Sequence, residues 1–178
     1  MVDWVLSAYE TDPLLPYPVL LVLGPFMQPE ARLRFAERAS KLDRVETITF
    51  DPHLESLMTQ AAGVVAMGGY NTFCEILSFD KRALIIPREK PRLEQRIRAL
   101  KAQELGLANV LLDDGVRDPA KMAAALRAMP SQNLPSEVVV PGLLEGLYNV
   151  NRRMGPWLHR AGEAGANNRT VHKLVDEA

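Results

Sequence analysis

Short apolar runs alternate along this chain with longer segments of helical periodicity, and that alternation limits the folds open to it. Pro18 to Leu23, Val45 to Phe50, Gly63 to Met67, Arg82 to Ile86 and Asn109 to Leu112 have the length of strands. Between them apolar residues recur at helical spacing. Val2, Trp4, Val5, Ala8 and Tyr9 open the chain on a helix, and a second runs from Pro29 to about Leu42. Others cover Thr72 to Phe79, the stripe Leu93, Ile97, Leu100 and Leu105, and Pro119 to Met129. Asp51-Pro52 reads as an N-cap followed by proline at the first helical position. Strands this apolar are covered on both faces, so the expected class is α/β with a parallel sheet. Ligands of such sheets bind at the carboxyl ends of the strands. The loops after Leu23, Phe50, Met67 and Ile86 are therefore the places to look.

Composition narrows the class further. A chain of 178 residues buries roughly 70% of its unfolded surface, enough for one sizeable core. Lys+Arg 21 against Asp+Glu 22 leaves a net charge of -1, without the cationic excess that holds a protein on nucleic acid. Cys74 has no cysteine partner, and His53, His159 and His172 are too scattered to complete a zinc site with it. No apolar run approaches the ~20 residues of a membrane span, and Met1-Val-Asp-Trp4 does not open a signal peptide. The expectation is a cytoplasmic domain over 1–130. Residues 131–178 are expected to add a helix, Leu143 to Leu158, and a polar tail that includes Gly162 to Thr170.

The segment richest in chemistry is Met67-Gly-Gly-Tyr-Asn-Thr-Phe-Cys-Glu-Ile-Leu77. Two glycines between a strand and a helix let backbone approach a ligand closely. The amides of Tyr70, Asn71 and Thr72 can then hold an anion at the positive end of the helix dipole. Glu75, one turn further, can accept hydrogen bonds from ribose hydroxyls. A second reading of the same residues makes Thr72-x-x-Glu75 a capping box that serves only the helix.

After Ile86, Pro87-Arg-Glu-Lys-Pro-Arg-Leu-Glu-Gln-Arg-Ile-Arg-Ala99 places Glu94 and Gln95 at a helix start, with hydrogen-bonding capacity suited to sugar hydroxyls. Leu93, Ile97 and Leu100 are expected to face the core. Arg88, Arg92 and their neighbours make the region basic, either for an anion or as a solvated charged face. Asp113-Asp114-Gly115 reads as a turn, His53 as an exposed residue and Cys74 as a small packed side chain. Gly-x-Ser-x-Gly, Walker and Gly-x-Gly-x-x-Gly motifs are all absent.

Taken in order, Gly68-Gly-Tyr-Asn-Thr-Phe-Cys-Glu-Ile-Leu77, Pro87-Arg88, Pro91-Arg92, Glu94-Gln95 and Arg98-Ala99 resemble predicted bacterial GT-B glycosyltransferases. These are similar in turn to the carboxy-terminal half of the N-acetylglucosaminyltransferase that makes lipid II (glycosyltransferase family 28 type). Leu23-Gly-Pro-Phe-Met27 also fits. The resemblance implies a Rossmann-like three-layer α/β/α domain, the carboxy-terminal half of a GT-B fold, that binds a nucleotide-sugar donor, a UDP-sugar first of all. Gly69, Tyr70, Asn71 and Thr72 would lie on the diphosphate and Glu75 on the ribose. Glu94 and Gln95 would meet the donor sugar, Phe50 and Asp51 would border the base, and Arg88 and Arg92 would offer anion contacts.

No metal or cofactor is implied, since the nucleotide sugar is itself the substrate. Where the lipid II enzyme has two glutamines this chain has Glu94-Gln95, a difference at the positions that would meet the sugar. By the same resemblance the chain opens on the helix that follows the family's first strand and Gly-rich loop. It is thus expected to be an inactive fragment, with its catalytic base in an amino-terminal acceptor domain. A lipid acceptor would place the complete enzyme at the inner face of the membrane. The alternatives are half of a nucleotide-sugar 2-epimerase, or a non-catalytic nucleotide-binding or interaction module.

Overall fold

A computed structural model describes residues 1–140, 142 and 145–155. The chain divides into two compact units, Met1–Val138 and Val139–Ala178. In the second unit residues 146–155 are helical. The ends of the expected Leu143 to Leu158 helix and the whole stretch Gly162 to Thr170 lie outside the described residues.

The first unit alternates helix and strand throughout: α1 (Val2–Thr11), β1 (Val19–Val22), α2 (Pro29–Ala39), β2 (Val45–Ile48), α3 (Leu54–Gln60), β3 (Gly63–Ala66), α4 (Tyr70–Ser78), β4 (Arg82–Ile85), α5 (Glu94–Glu104), β5 (Asn109–Val110) and α6 (Pro119–Ala128). All strand pairs are parallel. β1 pairs with β2 with Val19 opposite Val45, and the order β3-β4-β5 sets Gly63 opposite Arg82 and Leu84 opposite Asn109. Hydrogen bonding thus divides the strands between two sheets.

Side-chain packing joins them. Trp4, Val5, Leu6, Ala8 and Tyr9 of α1 share one buried cluster with Leu21 and Leu23 at β1, Leu84 and Ile86 at β4, and Met122 and Leu126 of α6. Along β4 the alternate residues Ala83 and Ile85 turn to the opposite face and are fully buried there. The indole Nε1 of Trp4 donates to the Asp118 carbonyl at 2.8 Å, fastening α1 to the start of α6. Arg38 of α2 reaches back to α1, with Nε and Nη2 on the two Glu10 oxygens at 2.7 and 2.8 Å and Nη1 on Asp3. The guanidinium beside Glu10 holds its carboxyl below the usual range.

Three expectations need correction. α4 begins at Tyr70 with Gly69 as its N-cap, two residues earlier than periodicity implies, because Gly68 at φ +74° breaks the chain just before it. Asp51 is not a helix N-cap: its Oδ1 accepts the His53 amide at 2.7 Å in a turn, and α3 starts only at Leu54. Leu93, Ile97 and Leu100 do not face the core, being 55%, 66% and 38% exposed. α5 instead buries Ala99 and Ala102, which allows a closer approach than leucine would.

Candidate functional site

β3 and β4 run parallel, so the turn after β3 and the loop after β4 leave the same edge of their sheet. The turn after β3 is Met67-Gly68-Gly69. Gly68 is buried, and a Cβ built on it would lie 2.8 Å from Ile85 Cγ2. Gly69 is different: a Cβ there would meet nothing within 4 Å. The turn is therefore packed beneath and open above.

The first helical bond of α4 runs from the Phe73 amide to the Gly69 carbonyl at 2.9 Å. The preceding amides, those of Tyr70, Asn71 and Thr72, have no partner among the described residues. They stand at the helix start, directly after the open Gly69, with the helix dipole behind them, and unbonded amides so placed can bind anions.

The early start of α4 also settles the role of Thr72 and Glu75 within the helix. Thr72 occupies the third helical position and Glu75 the sixth, and the N-cap receives no side-chain hydrogen bond. The capping box is therefore not formed. Glu75 is half-buried, and its side chain makes no hydrogen bond or ion pair among the described residues. A carboxylate in that setting retains its full capacity to accept donors from a ligand.

The residues after β4 are arranged less freely. The Gln95 side-chain oxygen accepts the Arg88 amide at 3.1 Å, so half of its amide group is engaged in holding the loop and Nε2 remains. Glu94 is exposed and unbonded, and Glu89 pairs with Arg96. The guanidinium groups of Arg88 and Arg92 are exposed and meet no carboxylate among the described residues. Phe50, 62% exposed, and Asp51 follow β2 in the other sheet. No hydrogen bond among the described residues links them to the α4 or α5 groups.

The sequence gives Arg98 no role of its own beyond its place in the Arg98-Ala99 pair. Its Nη1 donates to the Gly68 carbonyl at 2.8 Å, and its guanidinium carbon lies 5.5 Å from the centre of the Tyr70 ring. The available clue was its place three residues after Gln95 and four after Glu94, on one helical face.

The weaker candidates resolve simply. Asp113 and Asp114 accept the amides of Gly115 and Val116 and pair with Arg117 and Lys121, forming a turn. His53 is exposed and Cys74 half-buried. No group of His, Cys, Asp and Glu among the described residues is placed to hold a metal ion, and no helix among them is long and apolar enough to cross a membrane. A cleft of about 260 Å³ between the end of α1 and α6, lined by Thr11, Asp12, Ala123 and Arg127 among others, contains none of the candidate residues.

Residues 2–137 match the family model described as the glycosyltransferase family 28 C-terminal domain. No curated protein matches the chain. Among solved structures it is similar to CalG4, the calicheamicin glycosyltransferase, with a TM-score of 0.58 and 19% identity over 74% of this chain and 31% of that one. It is similar also to the glycosyltransferase VinC in complex with DTDP (TM-score 0.56, 21% identity, 73% of this chain and 29% of that one). A third is the kitacinnamycin glycotransferase (TM-score 0.57, 20% identity, 85% and 35%). At these identities the likeness concerns the fold, which is the Rossmann-like α/β architecture of the carboxy-terminal half of a GT-B enzyme. The chain spans about a third of the length of these neighbours.

Proposed function

The chain belongs to the glycosyltransferase family 28 C-terminal domain family, and we propose that it is the donor-binding domain of an enzyme that transfers a sugar from a nucleotide-diphosphate sugar. The observation that carries this is the open Gly69 turn, with the free amides of Tyr70, Asn71 and Thr72 and the unpaired Glu75 one turn behind. The amides and helix dipole take the diphosphate and stabilise the charge that grows on it as the sugar leaves. Glu75 accepts the ribose hydroxyls. Glu94 and the free Nε2 of Gln95 are the groups for the donor sugar, with Arg88 and Arg92 as further cations for the anion. Phe50 and Asp51, in the loop after β2, border the base. The acceptor and the catalytic base belong to an amino-terminal domain of the complete enzyme.

Titration calorimetry with UDP, dTDP, GDP and ADP tests this. One of the pyrimidine nucleotides is expected to bind, and Glu75→Ala should weaken it about tenfold to a hundredfold, the effect of losing hydrogen bonds to a charged group. Thermal unfolding should change little, since the Glu75 side chain makes no bond within the fold. Failure of the unmodified chain to bind any of the four would remove the donor-site assignment.

A lipid acceptor is favoured by one specific feature. Exposed Leu93, Ile97 and Leu100 adjoin Arg88, Lys90 and Arg92, the combination that places a helix at an anionic lipid surface. The chain should sediment with phosphatidylglycerol vesicles at low salt and be released as salt screens the cations, with Ile97→Glu weakening the association. Equal behaviour with phosphatidylcholine vesicles, or no sedimentation at all, would count against it.

A further inference from the structure

We infer that Arg98 is the positioning residue of the diphosphate site: it holds the Gly68–Tyr70 turn so that the first amides of α4 stay free for an anion. What the turn binds rests on the donor-site reading above. How the turn is held does not.

The Gly68 carbonyl stands four residues before the Thr72 amide, the separation at which an α-helix closes a hydrogen bond. Were that bond made, α4 would lengthen by one residue and one of its free amides would be consumed. Gly68 at φ +74° breaks the helix there, and Arg98 occupies its carbonyl with a charged donor at 2.8 Å. A charge-assisted bond of this kind is stronger than a neutral one. The same guanidinium lies over Tyr70, 5.5 Å from the ring centre. Tyr70 is 68% exposed, so its ring is placed by this stacking more than by core packing. One side chain thus grips the residue before the N-cap by its carbonyl and the residue after it by its ring.

The charge of Arg98 also bears on the site. Arg96 pairs with Glu89 and Lys101 with Glu104, whereas Arg98 has no carboxylate partner among the described residues. Its positive charge therefore adds to that of the helix N-terminus beside it. Lysine cannot reproduce this, because a single ammonium lacks the planar face and the fork of donors.

Arg98→Leu and Arg98→Lys test the inference by two readouts. In the Arg98→Leu chain the Gly68, Gly69 and Tyr70 amide resonances should shift, and the Phe73 amide, bonded to the Gly69 carbonyl, should exchange with solvent at least about tenfold faster, while the amides of α1 and α6 hold. UDP or dTDP affinity should fall about tenfold to a hundredfold, with Arg98→Lys recovering only part of it. If leucine unfolds the chain, Arg98→Lys is read by the same resonances. Unchanged resonances at Gly68 to Tyr70 and unchanged exchange at Phe73 in the variant that folds would overturn the inference. Should the unmodified chain bind no nucleotide, the donor-site reading fails, and the exchange data still decide whether Arg98 holds the turn.

Discussion

Trp4→Ala is expected to lower the free energy of unfolding by about 3–5 kcal/mol, the range for emptying a buried tryptophan site. Trp4 is 1% exposed and belongs to the cluster that packs α1 on residues of both sheets. β1 and β3 share no hydrogen bonds, so the side chains of α1 carry much of what keeps the two sheets together. Trp4 also bonds the Asp118 carbonyl, and the Asp118 side chain caps α6 by accepting the Ala120 amide at 2.9 Å. The substitution therefore leaves a cavity and a released helix start at once. Against a total stability of about 5–15 kcal/mol for a domain, such a loss is a large fraction. Urea unfolding followed by circular dichroism measures it. Trp4→Phe keeps most of the apolar contact and loses the indole donor, so it should cost much less. Equal midpoints for the two variants would show that packing at Trp4 is not what holds the sheets.

Local features were legible in the sequence, and long-range ones were not. Pro29 starts α2 where proline at the first helical position implied, and the strand cores Val19–Val22, Gly63–Ala66 and Arg82–Ile85 lie inside their apolar runs. Periodicity in α5 identified an apolar face but not its direction. The small residues Ala99 and Ala102 face inward, and Leu93, Ile97 and Leu100 face out. Division into two sheets is a property of pairing between distant strands, which no local period records. At the site, the Gly-Gly turn and Glu75 were visible because their chemistry is local to one loop and one helix. Arg98 contacts Gly68 across thirty positions of sequence, so only the packing of α5 against the turn reveals it. The engagement of Gln95 with the Arg88 amide was hidden for the same reason.

Gly68 and Gly69 are adjacent in sequence, yet alanine at each is expected to do opposite things. At Gly68 the backbone sits at φ +74°, where an L side chain costs about 1–2 kcal/mol. Its Cβ would also lie 2.8 Å from Ile85 Cγ2, a fully buried side chain with little room to yield. Overpacking of that kind adds about 1–3 kcal/mol, so Gly68→Ala should destabilise the domain by about 2–5 kcal/mol in urea unfolding. The strain falls on the residue whose carbonyl Arg98 holds, so nucleotide affinity should fall with it. Gly69 has φ -55° and ψ 152°, ordinary for alanine, and a Cβ there meets nothing within 4 Å. Gly69→Ala should leave stability unchanged or raise it by about 0.4–1 kcal/mol through the unfolded chain. Its methyl group nevertheless enters the open space beside the helix start, where the proposed function seats the diphosphate. Affinity for UDP or dTDP should therefore drop while the unfolding midpoint holds. If Gly69→Ala binds nucleotide as the unmodified chain does, the anion is not seated over that turn.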